Sequence, residues 1–152
     1  MSDNPGVIAP PPLLALGAIA IGFGLDALWP TTLPWREERI VGGIALFLAA
    51  GVLAGWAFAT FRNAGTNVPT RRPSTTVVSV GPYRFSRNPI YIAMAAAIAG
   101  VGIAAGSAWV IAMAVPFLIV IDRGVIAREE RYLSGKFAAD YGAYRGRVRR
   151  WI

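Results

Sequence analysis

Residues 90–121 run for 32 consecutive positions without a charged side chain, and no other feature of the chain constrains its fold as much. As one straight helix the run would measure about 48 Å, against a hydrocarbon core of about 30 Å, so a single ordinary crossing is excluded. Gly100, Gly102, Gly106 and Ser107 predict a turn near its middle. The run therefore divides into two antiparallel spans, residues 89–105 and 107–124, with Pro116 as a kink in the second. Two apolar stretches precede it. Residues 13–29 sit at the short limit for a crossing, interrupted by Asp26 and ended by Pro30, whereas residues 40–61 hold 22 positions without a charge. Gly42, Gly43, Gly51 and Gly55 permit close helix approach there. The expectation is an all-α integral membrane protein, one unit over residues 1–152, with about four transmembrane helices and a cytoplasmic C-terminal amphipathic helix.

Composition agrees. Hydrophobic residues make up 55% of the chain, above the usage of soluble domains, and charged residues only 15%, below their usual share. Residues 1–61 carry Arg36 and Arg39 against Asp3, Asp26, Glu37 and Glu38, while the remainder holds 13 basic and 4 acidic residues. The basic residues sit beside apolar runs, which points to a cytoplasmic membrane face rather than to nucleic acid. Arg62, Arg71, Arg72, Arg84 and Arg87 between the second and third spans, and Arg128, Arg131, Lys136 and the tail arginines from Arg145 onward, place both termini in the cytoplasm by the positive-inside rule. Residues 1–12 contain no Lys or Arg, so the basic leader of a cleaved signal peptide is not expected and the first run is expected to be retained. Asp26 reads as an interfacial helix-end residue. Arginine outnumbers lysine 14 to 1, which suits a GC-rich bacterial source and hence an inner membrane.

The chain has no cysteine and no histidine. Thiolate nucleophiles, imidazole bases and cysteine or histidine zinc sites are thereby excluded, and no metal is expected. Chemistry here needs a cofactor that arrives activated, or carboxylate, tyrosine and arginine groups.

Two polar segments flank the apolar hairpin. Residues 62–74, with Gly65, Pro69 and Pro73, read as a loop, and the β-branched residues 75–80 as a short extended segment. Residues 81–91 then place Arg84, Arg87, Asn88, Tyr83 and Tyr91 at the entrance to the third span. Asn88 fits a helix N-cap and Pro89 the first helical position, so free N–H groups beside Arg87 favour an anion. The plain alternative is a turn and cap, with the arginines at lipid headgroups and the tyrosines as interfacial aromatics. On the tail, Ile126, Leu133, Phe137, Tyr141 and Tyr144 recur at helical spacing and form one face, and Glu129 falls on it. A carboxylate there needs a partner. Local arginines such as Arg123, or Arg84 and Arg87, would supply one; a ligand's ammonium or ribose hydroxyls would supply another.

The linked pattern Ala64-Gly65-Thr66, Gly81-Pro82-Tyr83, Arg87-Asn88-Pro89-Ile90-Tyr91, Arg128-Glu129-Glu130 with Leu133, and Tyr141 and Tyr144 before Val148 and Arg149 resembles the isoprenylcysteine carboxyl methyltransferase and phospholipid methyltransferase superfamily. The resemblance covers residues 62–151. It implies a small membrane enzyme that binds S-adenosylmethionine between its last hairpin and its cytoplasmic tail. By motif position it implies cofactor contacts at Thr75, Thr76, Val77, Val78, Tyr83, Asn88, Pro89, Ile90, Tyr91 and Glu129. Arg87 and Glu130 stand as candidate catalytic residues. Asn88 occupies a position where many members have histidine, and Val125 one where eukaryotic members have a substrate-contacting arginine, which leaves Arg123 and Arg128 as nearby candidates. The acceptor implied is a prenylated cysteine carboxylate, with a phospholipid or other lipid amine as rival. A non-catalytic lipid-binding or scaffold protein and a small transporter are the readings from other classes.

Overall fold

A computed structural model describes residues 6–68 and 73–152. Pro69, Arg71 and Arg72 of the predicted loop, and Asp3, lie outside the described residues. Among those described, every regular element is helical. Helix α1 spans Pro11–Leu28, α2 Arg36–Asn63 and α3 Pro89–Ala105. Helices α4 (Ala108–Ala112), α5 (Ala114–Ile121), a π-helical turn (Asp122–Ile126) and α6 (Ala127–Lys136) then succeed one another with almost no interruption, and α7 runs over Ala138–Arg147.

Helices α1, α2 and the run Ala108–Lys136 are each long and apolar enough to cross a membrane, and α3 is a shorter apolar helix. Leu13, Leu16 and Ile21 on α1, Val41, Leu48 and Val52 on α2, and Val115 on α5 are more than half exposed, with no charge among them. Such faces suit hydrocarbon rather than water. The structure joins two elements that the sequence separated. The fourth span and the amphipathic tail helix form one run to Lys136, because residues 122–126 form a π turn instead of ending the helix. Farther on, the tail bends at Phe137, whose ψ of 47 breaks the helical geometry between α6 and α7. Near Met113 the helix is interrupted where Pro116 cannot donate to the carbonyl four residues back. Residues 75–80 form no strand, with bends at 75, 76 and 80 and an extended backbone at Val80 (φ −110, ψ 174), and no neighbouring strand among the described residues offers them a ladder. Ser74 and Thr66 tie that segment down by side-chain hydrogen bonds instead.

Helix α3 is the centre of the bundle, and α2 lies along it at backbone contact. A side chain at Gly43 would meet the backbone of Gly100 and Ala104, and one at Gly100 would meet Phe47 and Gly43. At the far end of α3, Gly106 takes the left-handed conformation (φ 77) that lets the chain reverse into α4, and its carbonyl accepts from Leu33. Asp26 accepts from the Thr31 amide and hydroxyl, the Thr31 hydroxyl accepts from Ala108, and Trp109 donates to Trp29. At the opposite end gather Gly6, the segment before α3, and the tail: Arg128 donates to the Gly6 carbonyl and Tyr144 to that of Tyr83.

Gly43→Ala is expected to force α2 from α3 and lower unfolding stability in mixed micelles by about 1–3 kcal/mol. Gly42→Ala, where nothing lies within 4 Å, serves as control. Equal midpoints for the two variants would contradict the close approach.

Candidate functional site

The site forms where the segment before α3 meets α6, α7 and the last residues of the chain. Gly81 and Pro82 open a single 3₁₀ turn that carries Tyr83 inward, where it is 5% exposed and stacks edge-on against Phe61 with ring centroids 4.9 Å apart. Pro89 then begins α3 as the spacing predicts. Asn88 occupies the cap position, but its side chain makes no cap bond. Instead its side-chain amide donates to the Arg150 carbonyl at 2.9 Å, and its backbone N–H donates to the Ser86 hydroxyl. The expectation of a side-chain N-cap is therefore corrected: the tail carbonyl outcompetes the helix for the Asn88 side chain.

One turn into α3, Tyr91 donates to Glu129 at 2.9 Å. Glu129 is 7% exposed, so this bond offsets part of the cost of burying its charge. Glu130 is turned to the next face of α6 and takes a different set of partners: Arg87 Nη1 lies 3.0 Å from Oε1, and Arg150 Nη2 lies 2.6 Å from Oε2. Arg150 also reaches both oxygens of Asp122 at 3.2 Å. Hydrogen bonding to Glu130, reinforced by Asp122, raises the Arg150 pKa above the ordinary arginine value, so this guanidinium is permanently charged.

These groups enclose one cavity of about 60 Å³ that opens to the surface. Of the residues singled out by sequence, Thr76, Val77, Val78, Tyr83, Asn88, Ile90, Tyr91 and Glu129 line it, together with Arg87 and Glu130. Three of its polar atoms, Tyr83 Oη and Arg87 Nε and Nη1, are buried without a hydrogen-bond partner among the described residues. Burial above all, with Tyr144 and Glu129 nearby, pushes the Tyr83 phenol far above the ordinary tyrosine range. It is a donor in search of an acceptor. Burial foremost, then Glu130, also raises Tyr141, with Arg87 opposing.

Other expected site residues lie elsewhere. Thr75 is exposed and outside the lining, and Pro89 is buried behind it. Arg128 is engaged with Gly6, away from the cavity. Arg123 borders a second, larger groove of about 690 Å³ between α3 and α5, whose floor includes Ala95, Ala99 and Leu118 and whose end carries Asp122 and Trp151. Val125 is fully buried in the π turn and presents nothing to a ligand. The sequence missed Phe61, Val68 and Ser74 in the lining, and Arg150 behind it. Phe61 had no signal beyond membership of an apolar span, and Arg150 was one tail arginine among several.

The sequence matches the family described as phospholipid methyltransferase over residues 38–140, from the first turn of α2 into α7. Over 36 residues, 24% of this chain, it is 50% identical to an uncharacterized protein of Haemophilus influenzae, and the match spans 57% of that relative's length. No solved structure matches significantly.

Tyr144→Phe deletes the hydroxyl that donates to the buried Tyr83 carbonyl at 2.7 Å. The expected cost is about 1–3 kcal/mol of unfolding free energy, read by denaturant titration in micelles. An unchanged midpoint would show that the tail is not fastened there.

Proposed function

Because the chain belongs to the phospholipid methyltransferase family, we propose that it is an S-adenosylmethionine-dependent methyltransferase acting on a lipid-like acceptor at the membrane surface. One observation supports this most: a single cavity holds a buried carboxylate, Glu129, and three buried donor atoms of Tyr83 and Arg87 that make no hydrogen bond among the described residues, Arg87 Nη1 being held only by its ion pair with Glu130. That donor set fits the cofactor. Glu129 suits an ammonium or ribose hydroxyls, and Arg87 suits a carboxylate, for which a planar guanidinium is the better match. Tyr83 suits a ribose or carboxylate oxygen. The rings of Phe61 and Tyr141 offer flat apolar walls to a purine.

The cofactor, when bound, supplies a methyl group already activated on a sulfonium, so the protein's work is alignment and exclusion of water. Tyr83 stays protonated and directs its hydroxyl as a donor. Glu130 is engaged on both oxygens by Arg87 and Arg150, which makes it a holder of positively charged groups rather than an acceptor of the substrate's proton. An ionised carboxylate acceptor needs no base, and an amine acceptor can lose its proton to water. The groove between α3 and α5 gives an acyl or prenyl chain a place to lie from the bilayer side, with Arg123 at its end to meet an anionic group.

A prenylated cysteine carboxylate, the acceptor of the better-known branch of the superfamily, would meet Arg123 here, since that branch's arginine position holds the buried Val125. A phospholipid amine is the second reading, favoured by the family match and by Asp122 beside Arg123 at the groove's end. The concentration of arginines at the cavity end supports a cytoplasmic orientation for it and for both termini.

Calorimetric titration of the detergent-solubilised protein with S-adenosylhomocysteine tests the reading. Saturable binding is expected, weakened at least about tenfold in Glu129→Gln by loss of a charged hydrogen-bond partner. A folded, lipid-replenished protein that does not bind would turn the assignment toward a non-catalytic lipid-binding role.

A further inference from the structure

Resting on the cofactor site just described, we propose that Arg150 is a positioning residue that keeps Arg87 available to a ligand's carboxylate. Arg150 does not line the cavity. It stands behind Glu130, with Nη2 donating to Oε2 at 2.6 Å and Nε to Oε1 at 3.3 Å. Both carboxylate oxygens are thus engaged from the far side, and Arg87 Nη1 meets Oε1 at 3.0 Å as an ion pair without the alignment of a hydrogen bond.

A carboxylate facing a lone guanidinium takes it in a two-bond fork. Without Arg150, Glu130 would close that fork on Arg87 and withdraw its donors from the cavity. Arg150 occupies Glu130 first, so Arg87 Nε is left buried without a hydrogen-bond partner among the described residues, and Nη1 is held by the ion pair alone, without an aligned hydrogen bond. The position of Arg150 is itself fixed from two directions. Asp122 takes its Nη1 on both oxygens, and the tail backbone is held where Arg87 N donates to the Arg149 carbonyl and Asn88 to that of Arg150.

The test compares two ligands on one variant. S-adenosylhomocysteine carries the amino-acid carboxylate, and 5′-methylthioadenosine carries the same nucleoside without it. Arg150→Gln is expected to weaken the first by about tenfold and the second by less than about twofold, the size of a coupling between neighbouring charged groups. Arg87→Gln is expected to show the same selectivity. Arg150→Lys, whose single ammonium cannot span Glu130 and Asp122 together, is expected to fall between wild type and Arg150→Gln, and it carries the comparison if the glutamine variant does not fold. Equal losses for both ligands, or none for either, would overturn the positioning role while leaving the cofactor site standing. Absence of S-adenosylhomocysteine binding by the folded wild type would overturn both.

Discussion

Glu130 is the point at which three remote parts of the chain are joined. Its carboxylate meets Arg87 from the entrance of α3 and Arg150 from the tail, while its own backbone belongs to α6. In a chain with only 8 acidic residues, a buried acid between two bases is a costly choice, since desolvation of such a cluster commonly cancels its attraction. Its value is geometric. Apolar contacts between helices allow sliding, whereas two guanidinium groups on one carboxylate define a register. The cavity inherits that register, because Glu129 is the adjacent residue and Tyr91 meets it from one turn into α3.

The π turn at residues 122–126 matters for the same reason. It continues the helix that began in the apolar run, but adds backbone to one turn and so rotates α6 about the helix axis. Asp122 faces the groove and Arg150, while Glu129 and Glu130 face the cavity. One helical run thus carries a lipid-facing stretch, a polar groove end and the cavity's two acids in sequence.

Apolar run lengths made the membrane class and the helical hairpin legible from sequence, because length against bilayer thickness is a strong constraint. The turn at Gly106 was legible because only glycine takes its conformation cheaply. The cavity was legible as a set of linked motifs: of the cofactor contacts they implied, Thr76, Val77, Val78, Tyr83, Asn88, Ile90, Tyr91 and Glu129 line it, and Thr75 and Pro89 do not. The features that escaped were set by long-range contacts. The Asn88 side chain turned from its own helix to a carbonyl 62 positions away, and no local rule ranks that partner above the cap. Arg150 was indistinguishable from Arg147 and Arg149 until the tail was seen folded back. The continuity of α4 through α6 escaped because a π turn leaves no mark in hydrophobic periodicity.

The tail's return to the start of α3 also sets an order of assembly. Ser86, Arg87 and Asn88 leave the ribosome long before the carbonyls of Arg149 and Arg150 exist to receive them, and by then the helices between them are already made. The membrane bundle therefore inserts and packs first, around glycine contacts that need nothing from the tail. The polar site closes only once residues 149 and 150 have been made, so a chain stalled before them would be membrane-embedded and helical yet without a finished site.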